Sequence, residues 1–516
     1  MKEKKMNGAE SLVHTLVGHG LRVCFANPGT SEMHFVAALD RIPGLRCIPG
    51  LQENVVTGMA DGYARLAREP AVTLLHCGPG LANGLANIHN AKKARVPMLN
   101  IVGDQATYHA RFDPPLATDT LALAKSSSHW VKRVRKSADV GPTAAEAIRA
   151  ARAKPGQIAT LILPSDASWN DGGNVASPLR PRTAAKIDMG NVLRAARILR
   201  DKRNALLLLG GTALMAGPQT HAAAIQAKSG CRVLAESING RHQRGAGRLP
   251  LERVPYPAPA AIETLRNVDY IITACARAPL GFFAYPGLPS HHHQPTARVI
   301  SLCTMEQDAE EALAALADEL SAGTVQLRQP QRPAIPMGTP SSAGLGVMLG
   351  AVLPEHAIVA DEAITLGAEM FAGSHAAAPH DWMMVTGGAI GFGMPCATGA
   401  AVAGEGRRVI NMQADGSAMY TVQALWTQAR ERLPVTTVIL SNRKYQILMA
   451  EYGNVGANPG PTAMNMLDLG NPDMDWVKIA NGMGVEAAKT GTLEGCAALM
   501  LRSYKSPHPF LIELEI

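Results

Sequence analysis

The sequence predicts an α/β protein made of three doubly wound parallel-sheet domains. Three observations carry this expectation. The chain has 516 residues, too long for one core when domains run to about 100–200 residues. Short apolar runs alternate with stretches of helical spacing along its whole length. Two stretches, 171–190 and 326–340, are rich in turn and extended-chain residues and read as linkers. They set off domains at 1–170, 190–325 and 341–516.

The elements follow in order. RVCFANPG reads as a strand ending in a turn, ENVVTGMADGYARLARE as a helix, AVTLLHCG as a buried strand, GLANGLANIHNAKKARV as a helix and VPMLNIVGD as a strand. NALLLLGG, CRVLAES, VDYIITACA and ARVISLCT are candidate parallel strands of the central, Rossmann-like segment. HAIVADE, RRVINMQAD, VTTVILSN and HPFLIELEI repeat the alternation in the last.

Composition excludes several function classes. Apolar residues make up 47% of the chain, enough for substantial cores and too many for disorder. A net charge of +7 without a basic stripe of interleaved aromatics does not support nucleic-acid binding. The eight cysteines are scattered with no CxxC pair, and read as reduced thiols of a cytoplasmic protein. No apolar run is long enough to span a membrane.

The most informative stretch is RRVINMQADGSAMYTVQALWTQARERLPVTTVILSNRKYQIL. Asp415 is expected at the C-terminal end of one strand and Asn442 at that of the next. Gly416 permits a tight turn, and Ser417 is expected to cap a helix running to about Arg432. A right-handed crossover brings both strand ends to one sheet edge, so Asp415 and Asn442 can converge. A carboxylate, an amide oxygen and a nearby carbonyl suit Mg²⁺. A helix N-terminus beside them suits a diphosphate. Taken alone, a capping Asp and a turn Asn explain the same residues.

This stretch resembles the cofactor motif of thiamine-diphosphate enzymes, Gly-Asp-Gly-Ser followed by Asn. The resemblance implies Mg²⁺ held by Asp415, Asn442 and the carbonyl of Lys444. Ala414 departs from the motif's leading Gly, and a slightly shifted backbone is expected there. TGGAIGFGMPCATGAA also resembles the family, with Ile390 matching the residue that wedges the cofactor into its bent form. In VADEAITLG, Thr365 matches a diphosphate contact. The last domain is then the diphosphate-binding one, and Gly416, Ser417 and Asn442 join Thr365 and Ile390 as cofactor contacts.

Glu53 opens the helix of LQENVVTGMADGYAR, which resembles the family's Glu motif. By resemblance it serves N1′ of the aminopyrimidine, making the first domain the pyrimidine-binding one. A carboxyl beside Leu51, Val55 and Val56 is expected to keep its proton to higher pH and so exchange it near neutrality. The bland alternative is an acid that merely complements the helix dipole. In the family the Glu and the metal site come from different subunits. The resemblance therefore implies a homodimer or homotetramer with active sites at the dimer interface.

CFANPGTSEMHF and HCGPGLANGLAN resemble the substrate loops of benzoylformate decarboxylase and acetolactate-synthase-like proteins. Thr30 falls at a substrate-binding position and His76 at that of an active-site histidine able to relay protons. A buried, hydrogen-bonded His is the alternative. Tyr285 stands near the decarboxylase's second histidine; the run His291–His293 is the alternative source of that histidine, and otherwise reads as a solvated loop. Leu448 and Glu451 are expected to line the substrate pocket, with an exposed helical Glu as the alternative for Glu451.

The resemblance is to acetolactate synthase large subunits and benzoylformate decarboxylases, and covers nearly the whole chain. It implies thiamine-diphosphate- and Mg²⁺-dependent decarboxylation of a 2-oxo acid with carboligation. Simple decarboxylation with aldehyde release is the alternative. Outside that chemistry stands a non-catalytic cofactor-binding partner, a reading favoured only by Ala414. FAD is not expected, because the Gly-, Pro- and His-containing contact segment of authentic acetolactate synthases is missing.

Overall fold

Parallel pairing dominates because the strands are continuous apolar runs that need cover on both faces. The structure, a computed structural model, describes residues 5–181, 183–201 and 204–516. Strands β1 (Val23–Asn27), β2 (Arg46–Pro49), β3 (Ala71–Leu75), β4 (Met98–Asp104), β5 (Trp130–Arg133) and β6 (Ile158–Pro164) form a parallel sheet in the order β2-β1-β3-β4-β6-β5. In the middle segment lie β7 (Ala205–Leu209), β8 (Arg232–Ala235), β9 (His242–Arg244), β10 (Tyr270–Ala274) and β11 (Arg298–Cys303). Four of them make the sheet β11-β10-β7-β8. The last segment supplies β12 (Ile358–Glu362), β13 (His380–Met384), β14 (Val409–Ala414), β15 (Val435–Ser441), β16 (Glu486–Thr490) and β17 (Phe510–Glu515). They order as β16-β17-β15-β14-β12-β13-β9.

β9 departs from the all-parallel expectation. It belongs to the middle segment yet runs antiparallel along β13, at the edge of the third sheet. Its side chains explain the choice. His242 and Arg244 point into that sheet's aromatic layer, where the Arg244 guanidinium carbon lies 3.4 Å from the Phe371 ring centre.

The first and third sheets are joined through two helices, Glu53–Ala67 and Gly393–Ala403. They cross with backbones in contact. A Cβ on Gly62 would lie 2.0 Å from the Cys396 carbonyl oxygen, and one on Gly399 would lie 1.8 Å from that of Met59. Only glycine permits this approach. Arg65, buried beside the crossing, pairs with Asp61 at 2.7 Å and donates to the carbonyls of Met384 (2.6 Å) and Gly240 (3.0 Å). One guanidinium thus ties all three segments together.

Among the described residues, no helix is long and apolar enough to cross a membrane. All eight cysteines are free thiols, and seven of them are buried.

Candidate active site

β14 and β15 pair in parallel from Val409↔Val435 to Ala414↔Leu440, so both strands deliver their next residues to one edge. Asp415 and Asn442 meet there as the crossover requires. Asp415 is buried, and its Oδ2 accepts the Arg443 N–H at 2.7 Å, one residue beyond Asn442. Its Oδ1 accepts the Gly416 N–H at 2.8 Å. Burial raises the Asp415 carboxyl above its ordinary range, against the pull of these backbone donors. A bound cation would reverse that direction. Asn442 Oδ1 accepts the N–H of Lys444 at 3.2 Å, and the Lys444 side chain points to solvent. Gly416 must be glycine, because a Cβ would sit 2.5 Å from the Tyr445 ring.

The helix expected from Ser417 to Arg432 is broken. A single turn spans Asp415–Ala418, and a separate helix spans Ala424–Glu431. Ser417 lies inside the turn and caps nothing. Its hydroxyl donates to the Ala414 carbonyl at 3.1 Å and accepts from Gln413 Nε2 at 2.7 Å. Within the break, Thr421 donates its hydroxyl to the Gly391 carbonyl at 3.1 Å. Ala414 occupies ordinary extended backbone, φ −69° and ψ 142°, so an alanine fits without the shift expected for it.

Across the edge, Gly387–Gly391 forms a loop before the Gly393–Ala403 helix, with Gly388 at φ 75° and Gly391 at φ 91°. Ile390 sits in it, half-buried. Two asparagines of the first domain grip this loop. Asn90 Nδ2 donates to the Ala389 carbonyl (2.8 Å), and Asn87 Nδ2 donates to that of Gly391 (3.0 Å). Thr365 is exposed, next to Ile364 at φ 53°.

Glu362, which sequence reasoning missed, holds the loop from below. Ending β12 and 1% exposed, it accepts the N–H groups of Gly391 (2.9 Å), Phe392 (3.0 Å) and Gly393 (2.8 Å), and Gln413 Nε2 at 2.8 Å. The only sequence signal was an acid closing an apolar run. Burial pushes its carboxyl up to about 7 from 4.5. A raised folded-state value means the folded protein binds the proton more tightly. Glu362's stabilisation is therefore complete below pH 4.5 and is lost as pH rises to about 7. Thermal unfolding of wild type and Glu362→Gln across that window checks this. The wild type's Tm should fall relative to the variant's as pH rises; a constant difference would exclude it.

Glu53 opens its helix half-buried, with Oε2 accepting from Asn83 Nδ2 at 3.1 Å. A Cβ on Gly80 would lie 3.3 Å from Glu53 Oε1 and 3.5 Å from His76 Cβ. Gly80 therefore leaves one side of the carboxylate open, beside His76.

His76 is not isolated. Its Nδ1 lies 2.9 Å from Oε2 of Glu32, a side chain only 1% exposed. Glu32 also accepts the Gly29 N–H at 2.7 Å and the Ser31 hydroxyl. Ser31 Oγ reaches His76 Nδ1 at 3.1 Å and Cys77 Sγ at 3.2 Å. Thr30, the residue singled out from the loop, is exposed. Ser31 and Glu32, its neighbours, make the contacts. Two glycines create room: a Cβ on Gly29 would strike the His76 ring at 2.3 Å, and one on Gly103 would overlap Glu32 Oε1. A carboxylate accepting from Nδ1–H leaves the Nε2 lone pair outward.

Tyr285 and Glu451 come together from different domains, the Tyr285 hydroxyl donating to Glu451 Oε1 at 3.2 Å. Leu448, on the same Gln446–Asn454 helix, is 45% exposed. Phe282 packs over the Ile390 loop, its ring 2.4 Å from where a Gly388 Cβ would stand. Of the His291–His293 run, expected to be solvated, His292 is buried and donates its N–H to the Pro279 carbonyl at 3.2 Å. The hairpin pairing of Leu280 with His291 folds it inward.

The residues fit a diphosphate-bearing cofactor with a divalent metal. Asp415, the Asn442 amide and the Lys444 carbonyl are hard oxygen donors at one edge. Gly388 and Gly391 let the loop opposite them pack closely against the Phe282 ring and against Tyr420.

Comparison with known proteins identifies the family. The signature "Thiamine pyrophosphate enzyme, N-terminal TPP binding domain" matches residues 6–125, and "Thiamine pyrophosphate enzyme, C-terminal TPP binding domain" matches residues 367–514. The chain is 48% identical over 515 residues to a Mycobacterium tuberculosis protein named "Putative acetolactate synthase large subunit IlvX", covering 99% of both. It is 27% identical over 529 residues to benzoylformate decarboxylase of Pseudomonas aeruginosa, covering 96% of each. The thiamine diphosphate-dependent 4-hydroxybenzoylformate decarboxylase of Rhodococcus jostii RHA1 shares the fold with a TM-score of 0.84 at 22% identity, over 98% of each chain. With both cofactor-domain signatures matched and a full-length relative at 48% identity, the chain belongs to the thiamine pyrophosphate enzyme family.

Proposed function

We propose that this enzyme uses thiamine diphosphate and Mg²⁺ to decarboxylate a 2-oxo acid and join the remaining carbon unit to a second carbonyl compound. The observation that carries the reading is the Arg443 N–H bond to Asp415, which locks the two strand ends holding Asp415 and Asn442 together. When bound, the cofactor supplies the carbon nucleophile and the electron sink for loss of carbon dioxide. Asp415, Asn442 and the Lys444 carbonyl would hold the metal, and Gly416, Ser417 and Thr365 line the diphosphate end. Ile390 supports the ring system from its loop. Glu53 holds and returns a proton at the pyrimidine. By the family's arrangement, Glu53 of one protomer would serve the Asp415 site of its neighbour, which puts the complete site at a homodimer interface, in a dimer or tetramer.

His76 handles protons on the substrate side, with Glu32 fixing its tautomer. Thr30, Tyr285, Leu448 and Glu451 bound the pocket. FAD has no part in this reading. In the central domain, Glu236 stands 2.5 Å from where a Gly210 Cβ would be, so a carboxyl fills the Gly-Gly turn that would otherwise meet phosphates.

The Glu32–His76 pair favours a second reading. A proton source at the reacting carbon favours release of a free aldehyde over carbon–carbon bond formation. Incubation with pyruvate and with larger 2-oxo acids, with cofactor and Mg²⁺ added, separates the two. A hydroxyketone product supports carboligation, and a free aldehyde supports simple decarboxylation. Cofactor binding without carbon dioxide release from any acid would leave a non-catalytic partner. His76→Ala should lower kcat about 10²-fold with a smaller change in KM, as expected for general acid–base chemistry. Steady-state kinetics checks this, and an unchanged kcat would remove His76 from the reaction.

A further inference from the structure

We propose that the face shared by β9 and β13 binds a small monovalent anion of the halide class, between the central and third domains. This goes beyond the reaction and does not depend on it.

The ladder pairs His380 with Arg244 and Trp382 with His242, so these four side chains share one face. Arg244, His242 and His380 are 3%, 2% and 3% exposed. Buried polar groups are expected to be paired, yet here Arg244 Nε and Nη1, both ring nitrogens of His242, and His380 Nε2 have no hydrogen-bond partner among the described residues. The other His380 nitrogen is satisfied, 2.7 Å from the Ala378 carbonyl oxygen. Arg244 contributes two of these as N–H donors and the neutral His242 ring one more, while His380, donating from Nδ1, carries a lone pair at Nε2; the three buried donors call for a common acceptor.

Charge identifies the acceptor. The guanidinium carbons of Arg244 and Arg253 lie 3.4 Å and 4.0 Å from the Phe371 ring centre. The aromatic ring attracts both cations but supplies no counter-charge. Asp361 is the acid of this cluster, and its carboxylate accepts from Trp382 Nε1 and the Ala363 N–H, each at 3.0 Å. Two guanidiniums against one carboxylate leave a positive excess. Burial and the neighbouring Arg253 pull Arg244 below its ordinary range, with Asp361 opposing. A guanidinium does not give up its proton in a protein, and an unpaired buried charge is costly. The buried pair Arg65–Asp61, bonded at 2.7 Å, shows how this fold meets the same requirement elsewhere. A halide would balance the charge and accept from Arg244 Nε and Nη1 and from the single N–H of His242 together.

Bromide-soaked crystals of the full chain test the site directly. An anomalous peak within hydrogen-bonding reach of Arg244 Nε and Nη1 is expected; water alone at that position would overturn the proposal. Thermal unfolding gives an independent readout. Wild-type Tm should rise by roughly 2–4 °C on replacing gluconate with bromide at equal ionic strength. Arg244→Met should abolish that rise, and an equal rise in the variant would contradict the assignment. Should the variant not fold, the wild-type bromide map decides alone.

Discussion

Glu53→Gln is expected to lower turnover by about 10²–10⁴-fold, the range for removing a positioned acid–base group. The substitution keeps size and hydrogen bonding. Gln can still face Asn83 Nδ2, and the Glu53–Ala67 helix keeps its cap from Gln52. Lost is a group that can exchange a proton at the pyrimidine. Cofactor binding and Tm should therefore change little while kcat collapses. Calorimetric binding beside single-turnover kinetics checks this. Full activity in the variant would remove Glu53 from the mechanism, whatever its position.

Asp415→Asn is expected to act earlier, on loading. Asp415 contributes the one carboxylate at the strand-end site, and Mg²⁺ sites depend on such oxygens. Replacing an outer-shell partner of a metal typically costs 10–100-fold in affinity. Replacing a ligand should exceed that, so a loss of more than about 100-fold in Mg²⁺ and cofactor affinity is expected. Asn can still accept the Arg443 N–H through its oxygen, so the strand ends should stay joined. Loss of cofactor-dependent thermal stabilisation with an unchanged apo Tm is the signature. Unaltered stabilisation would place the metal elsewhere.

Much of this site is legible in the residues because its parts sit at element ends that apolar patterning locates. Asp415 and Asn442 close two buried runs joined by one crossover, so their meeting follows from handedness and register. Glu53 opens a helix whose apolar spacing is plain. Partners brought together only by tertiary packing were not legible. Glu32 meets His76 because the loop after β1 folds over β3, in space made by Gly29 and Gly103. Glu362 reads as one more strand residue until the loop it holds is known. β9 is three residues long and polar, so no periodicity marks it; packing onto Phe371 makes it a strand. The helix expected from Ser417 to Arg432 is interrupted between Ala418 and Ala424, where local propensity carries no mark of the tertiary contact between Thr421 and Gly391.

Subunit mixing probes the shared-site arrangement most directly. Glu53→Gln and Asp415→Asn chains, each inactive alone, are combined, unfolded mildly and allowed to reassociate. If Glu53 of one protomer serves the metal site of its neighbour, each mixed dimer regains one intact site of its two. A 1:1 mixture should then recover about a quarter of wild-type activity. No recovery, with mixed dimers shown to form, would mean that both groups act within a single chain, or that Glu53 does not serve the cofactor.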